Sequence, residues 1–122
     1  MAASSILVVD DDRDTCASMS DIIADLGYQV DVAYDGPAAL EHFKRQSYRL
    51  ALLDFKMPGM TGIDVYRRLK QEGAETVGIL VTAFAASETI NDAMDAGMRQ
   101  VMPKPVDFVR LVPIIKEVAG EV

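Results

Sequence analysis

Leu50-Ala51-Leu52-Leu53-Asp54-Phe55-Lys56-Met57-Pro58-Gly59 decides how the rest of the chain is read. Four apolar residues in succession describe a strand buried on both faces, as inside a parallel sheet. The run stops on Asp54, and Pro58-Gly59 then turns the chain. A carboxylate therefore sits where a buried strand leaves its sheet. In open α/β sheets that edge is where ligands bind.

Working outward, Ile6-Leu7-Val8-Val9 is a second short apolar run, and it too ends on acids, Asp10-Asp11-Asp12. Cys16, Met19, Ile22/Ile23 and Leu26 follow at helical spacing, with Gly27 as the stop. Gln29-Val30-Asp31-Val32-Ala33 alternates polar and apolar, which suits a strand at or near the sheet edge. Asp35-Gly36-Pro37 opens a second helix with proline in its first turn and Leu40 and Phe43 inward.

Beyond the Leu50–Leu53 strand, Thr61 opens a third helix burying Ile63, Tyr66 and Leu69 and ending near Gly73. Val77-Gly78-Ile79-Leu80-Val81 is another buried strand, running out at Thr82. Ser87 and Glu88 start a fourth helix, expected to turn Ile90, Ala93 and Met94 inward and to stop at Gly97. A brief strand, Val101-Met102, leads to Pro103-Lys104-Pro105 and a last helix carrying Phe108, Leu111/Val112, Ile115 and Val118. Pro113 is a misfit there, because an interior proline costs about 3 kcal/mol. A kink, or a start later than Asp107, is expected.

Five strand–helix repeats predict an α/β fold: a five-stranded, doubly wound parallel sheet with right-handed crossovers. The chain has 122 residues, enough for one domain spanning 1–122. A formal net charge of −7 argues against nucleic acid or an anionic membrane as a direct partner. The lone Cys16 excludes an internal disulfide framework and fits a reducing cytoplasm. No apolar stretch reaches the roughly 20 residues that cross a bilayer.

In a parallel sheet all C-terminal strand ends line one rim. The exit residues are Asp10/Asp11, Asp54, Thr82 and Lys104, each group from a different strand. Packed carboxylates raise one another's pKa unless a cation lies among them. Hard oxygen donors without His or Cys suit Mg²⁺, which is commonly completed by a phosphate oxygen. Lys104 adds a point charge and Thr82 a hydrogen-bond donor. Together they suit a dianionic phosphoryl group beside a carboxylate able to attack it, and Asp54 as nucleophile gives an aspartyl phosphate.

Val8-Val9-Asp10-Asp11, Leu53-Asp54-Phe55-Lys56-Met57-Pro58, Val81-Thr82-Ala83 and Lys104-Pro105 together resemble the signature of response regulator receiver (CheY-like) domains. Four motifs in order cover essentially the whole chain. The resemblance implies the flavodoxin-like strand order 2-1-3-4-5. It implies that Asp54 accepts a phosphoryl group from a phosphohistidine on a sensor histidine kinase or phosphotransfer protein. Asp11 and Asp54 would bind Mg²⁺ directly, Asp10 mainly through water, and Lys56 through its backbone carbonyl. Thr82 and Lys104 would hold the phosphoryl oxygens, and the Lys104–Pro105 bond would be cis.

Such a domain assists its own phosphorylation and dephosphorylation and turns over no outside substrate. Its output face, formed by the fourth helix, fifth strand and fifth helix, could join a partner or a second copy through Phe84, Met98, Val101 and Val109. The position where the family usually carries an aromatic switch is Val101 here. Lys56 and Phe84, two residues beyond Asp54 and Thr82, are expected to obstruct water and lengthen the life of the phosphorylated form.

Rival readings are weaker. A phosphatase or mutase with an aspartyl nucleophile would want an acid where Lys56 stands. A flavodoxin-like nucleotide binder would want a glycine- or hydroxyl-rich loop in place of Asp10-Asp11-Asp12. A degenerate receiver acting only as an interaction module is the remaining alternative. His42 reads as a surface residue, and Cys16 as a packed apolar one.

Overall fold

The computed structural model describes residues 5–83 and 85–120. Five strands and five helices alternate: β1 (Ser5–Val9), α1 (Arg13–Asp25), β2 (Gln29–Ala33), α2 (Gly36–Arg45), β3 (Leu50–Asp54), α3 (Gly62–Gln71), β4 (Val77–Thr82), α4 (Ser87–Asp95), β5 (Gln100–Pro103) and α5 (Phe108–Ala119). All strand pairs are parallel, in the order β2-β1-β3-β4-β5. The expected order and the edge position of β2 both hold.

Alternation along the strands builds the two layers. Leu7, Val9, Ala51, Leu53 and Leu80 face one core, closed by Ala39 of α2, by Ile63, Val65, Tyr66 and Leu69 of α3, and by Ala93 of α4. Ile6, Val8, Leu50, Leu52, Ile79 and Val81 face the other, closed by Cys16, Met19 and Ile23 of α1 and Leu111 and Ile115 of α5. Every residue of β3 is buried, because it lies mid-sheet with helices on both sides.

Capping fixes where the helices start. The Asp12 side chain accepts from Asp14 N and Thr15 N, and that of Asp35 from Ala38 N. Thr61 and Asp64 form a reciprocal capping box on α3, at 3.1 and 3.0 Å. By contrast, α4 has Ala86 at its N-cap position and no side-chain cap, and only Ala93 is buried on it. Ile90 and Met94 were expected to turn inward, yet they are 36% and 52% exposed. The short edge strand β5 gives α4 too little sheet to cover a broader apolar stripe.

Pro113 lies inside α5, which starts at Phe108 directly after its Asp107 cap. The proline is exposed, and the residue four earlier, Val109, is 83% exposed. Water can therefore reach the Val109 carbonyl that loses its helical partner. His42 is half-buried rather than on the surface. It packs opposite Tyr48, with Nδ1 3.3 Å from a hydroxyl that donates to Asp31 at 2.6 Å. Among the described residues no helix is long and apolar enough to cross a membrane.

Leu52 is 1% exposed at the centre of the α1/α5 core. Leu52→Ala is expected to lower unfolding free energy by about 3 kcal/mol in urea denaturation, against the few tenths typical of a surface change.

Candidate functional site

The sheet register brings the exit residues to one rim. Val9 pairs with Leu53, Asp54 with Val81, Val81 with Met102 and Thr82 with Pro103. Two further main-chain bonds extend the pairing: Asp10 N donates to Ala33 O at 3.1 Å, and Lys104 N donates to Thr82 O at 2.9 Å. By strand alternation Asp10 continues the face of Ile6 and Val8, Asp54 that of Leu50 and Leu52, and Lys104 that of Met102. These three therefore emerge on the α1/α5 side of the rim, whereas Thr82 continues the other face with Leu80.

One carboxylate oxygen each from Asp10, Asp11 and Asp54 lie within 4.8 Å of one another. Asp10 and Asp54 are buried and Asp11 is exposed, so the cluster has an open side. Lys104 Nζ sits 2.8 Å from Asp10 Oδ2 and 3.1 Å from Asp54 Oδ1. Three carboxylates against one ammonium leave two negative charges, the complement of a divalent cation. Oxygens around Mg²⁺ at ~2.1 Å are about 3 to 4 Å apart, so side-chain rotation alone can close this set on an ion. The donors are all hard oxygens, as Mg²⁺ prefers.

The electrostatics show the strain of this arrangement. Burial, with the Asp10 charge second, pushes the Asp54 carboxyl above the ordinary range, against the lowering effect of Lys104. Burial opposes the Lys104 ammonium, but its bonds to Asp10 and Asp54 outweigh this and raise its pKa. Asp12 stands apart from the cluster although it adjoins Asp11. Its carboxylate caps α1 and also accepts from Thr15 Oγ1 at 3.0 Å; the Thr15 and Asp14 hydrogen bonds hold its pKa below the usual value. Asp10 Oδ1 in turn accepts from Asp12 N at 2.9 Å, which fixes the turn between β1 and α1.

Of the residues singled out in the sequence, Asp10, Asp11, Asp54 and Lys104 converge. Thr82 lies buried on the same rim, its carbonyl tied to Lys104 N. Lys56 is exposed in the loop after β3. Phe84 lies outside the described residues. The Lys104–Pro105 bond is cis, as the resemblance implied. Cys16 is packed: burial first and Asp10 second push its thiol up to about 11.

Two features were not legible in the sequence. Lys104 pairs with Asp10 as well as Asp54, and Gly62 packs directly on the Asp54 main chain. A glycine placed immediately after a helix-capping threonine was the available signal for the second. A cavity of about 520 Å³ beside Tyr48, Arg49 and Gly73 lies at the opposite end of the sheet. It contains none of these acids.

Residues 6–116 match the sequence profile of the response regulator receiver domain. The transcriptional regulatory protein DltR of Streptococcus agalactiae is 32% identical over 111 residues, 91% of this chain and 50% of DltR. The chain thus spans about half the length of that relative. A CheY-like receiver domain protein from Methanospirillum hungatei superposes with a TM-score of 0.90 at 30% identity, covering 95% of this chain and 93% of the other. TrrA from Thermotoga maritima, solved in complex with Mg²⁺-BeF, gives 0.84 at 28% identity over 94% and 98% of the two chains.

A carboxyl whose folded pKa is raised holds its proton longer than in the unfolded chain, so it opposes folding increasingly as pH rises through that interval. Asp54→Asn is therefore expected to raise the metal-free Tm at neutral pH. The gain should shrink to nothing in acid, where both states are protonated. Scanning calorimetry across pH checks both the sign and the trend.

Proposed function

The chain belongs to the response regulator receiver family, and from that membership we propose that Asp54 is its phosphoryl acceptor. The donor is a phosphohistidine on a sensor histidine kinase or phosphotransfer protein of a two-component pathway in the cytoplasm. The observation that carries this reading is the convergence of three carboxylates and one ammonium on a single rim.

Asp54 must attack as the carboxylate. Its burial works against ionisation, and Lys104 at 3.1 Å works for it. An Asp54 oxygen forms a bond to phosphorus as the donor's P–N bond breaks, and the imidazole nitrogen keeps the electron pair. Lys104 meets the phosphoryl oxygens with its ammonium, and the Thr82 hydroxyl donates to another. Asp10, Asp11 and Asp54, with the Lys56 carbonyl, would hold Mg²⁺, which when bound neutralises charge on the transferring group. The Mg²⁺-BeF complex of the related TrrA supports this choice of ion.

Access favours the α1 side. A groove of about 500 Å³ runs beside Lys104, between Thr15, Ser18 and Met19 of α1 and Pro105, Val106 and Phe108. Its lining is largely apolar and suits the helix of a phosphohistidine carrier.

The output face is narrower than the sequence alone indicated. Met98 is 2% exposed and Val101 is half-buried, so neither leaves much free area. Ile90, Met94 and Val109 are large hydrophobic residues exposed on α4 and α5. The lightly buried α4, which lacks a side-chain cap, is the next helix after Thr82, starting five residues on at Ser87. Drawing Thr82 towards a phosphoryl group moves the element least firmly held, a population shift between two states. A partner or a second copy would read the result there.

Intact mass after incubation with Mg²⁺ and a small acyl phosphate tests the acceptor. One added phosphoryl group is expected on wild type and none on Asp54→Asn or with Mg²⁺ chelated. Lys104→Ala should slow uptake by about 100-fold. An adduct that persists in Asp54→Asn contradicts the assignment.

A further inference from the structure

Gly62, the first residue of α3, lies against the last peptide of β3. A Cβ at this position would overlap the Asp54 carbonyl oxygen and stand 3.0 Å from Leu80 Cδ1. Carbon normally keeps about 3.3 Å or more from such an oxygen. The nearest obstacle is main chain at the end of a strand buried along its whole length, so it cannot swing aside. Gly62 is not among the glycines with positive φ. Space, and not backbone conformation, is what demands glycine here.

The hydrogen bonds around this contact bear on the site. Phe55 N donates to Val81 O, and Phe55 O accepts from Gly62 N, both at 3.1 Å. The residue joining Asp54 to Lys56 is thus clamped between β4 and the start of α3. We infer that Gly62 is a positioning residue for the metal and acceptor groups. Its missing side chain lets α3 close on the Asp54–Phe55 main chain, which aims the Asp54 carboxylate and holds the Lys56 carbonyl beside it. This rests on the proposed roles of Asp54 and Lys56. A methyl group would push either the Asp54 peptide or the helix start by about 1 Å, enough to misplace reacting groups.

Gly78 supplies the control. A Cβ there would lie 2.5 Å from Tyr66 Cε1, an equally tight contact. Gly78 pairs with Ala51, three residues before Asp54, so it is roughly 10 Å along the strands from the rim. Gly78→Ala overpacks the core and leaves the rim alone.

The test compares Gly62→Ala, Gly78→Ala and wild type by urea midpoint, MgCl₂ calorimetry and the rate of phosphoryl uptake from a small acyl phosphate. Both variants are expected to lose stability. Gly62→Ala should weaken Mg²⁺ binding by about 10-fold or more and slow uptake, with Gly78→Ala within about twofold of wild type. Wild-type Mg²⁺ affinity in Gly62→Ala, or an equal loss in Gly78→Ala, overturns the inference. If Gly62→Ala does not fold, Asp64→Ala opens the capping box without adding an atom at the contact. About threefold weaker Mg²⁺ binding then supports positioning, and unchanged binding overturns it. Wild type that binds Mg²⁺ but takes no phosphoryl group would sink the acceptor role of Asp54, and the Mg²⁺ arm would still decide the role of Gly62.

Discussion

Like charge held together is the constraint on which this structure turns. Asp10, Asp11 and Asp54 keep carboxylate oxygens within 4.8 Å, and the Lys104 ammonium lies between two of them. An isolated loop would relieve such repulsion by moving apart. Here the acids sit on, or directly after, buried parallel strands whose register is set by apolar packing on both faces. The two cores hold the charges in place, and the repulsion that Lys104 only partly offsets suits the site to a divalent cation.

Much of this was legible before any coordinates. Apolar runs such as Leu50–Leu53 are short, β-branched or leucine-rich, and end abruptly on polar residues. They marked central strands, and parallel topology then required their ends to share a rim. What failed was what depends on neighbours. Ile90 and Met94 keep helical spacing with Ala93, but how far α4 is covered depends on the width of β5 beneath it. The start of α5 after Asp107 holds as expected, but Pro113 stays inside the helix at a solvent-facing position that periodicity alone does not reveal. The site showed the same division. Residue types and order pointed to Asp10, Asp11, Asp54 and Lys104, but did not single out Asp12 within the acidic run Asp10–Asp14 as the cap of α1. Nor could they show that Lys104 bridges Asp10 and Asp54, since that pairing spans 94 residues of sequence.

Stability and responsiveness are distributed unevenly. α3 has a reciprocal capping box and five buried residues; α4 has no side-chain cap and one. The better anchored helix presses on the Asp54 main chain, and the looser one follows Thr82. The rim is thus braced on one side and yielding on the other, an arrangement that would suit the proposed switch.

The most direct test is the structure of the chain with Mg²⁺ and beryllium fluoride, which mimics a phosphoryl group on a carboxylate. The expected result places the beryllium on an Asp54 oxygen and Mg²⁺ on Asp11 and Asp54, with the Lys104 ammonium and Thr82 hydroxyl on the fluorines. Beryllium fluoride bound elsewhere, or Lys104 still held between Asp10 and Asp54 with no ligand at Asp54, would contradict the account.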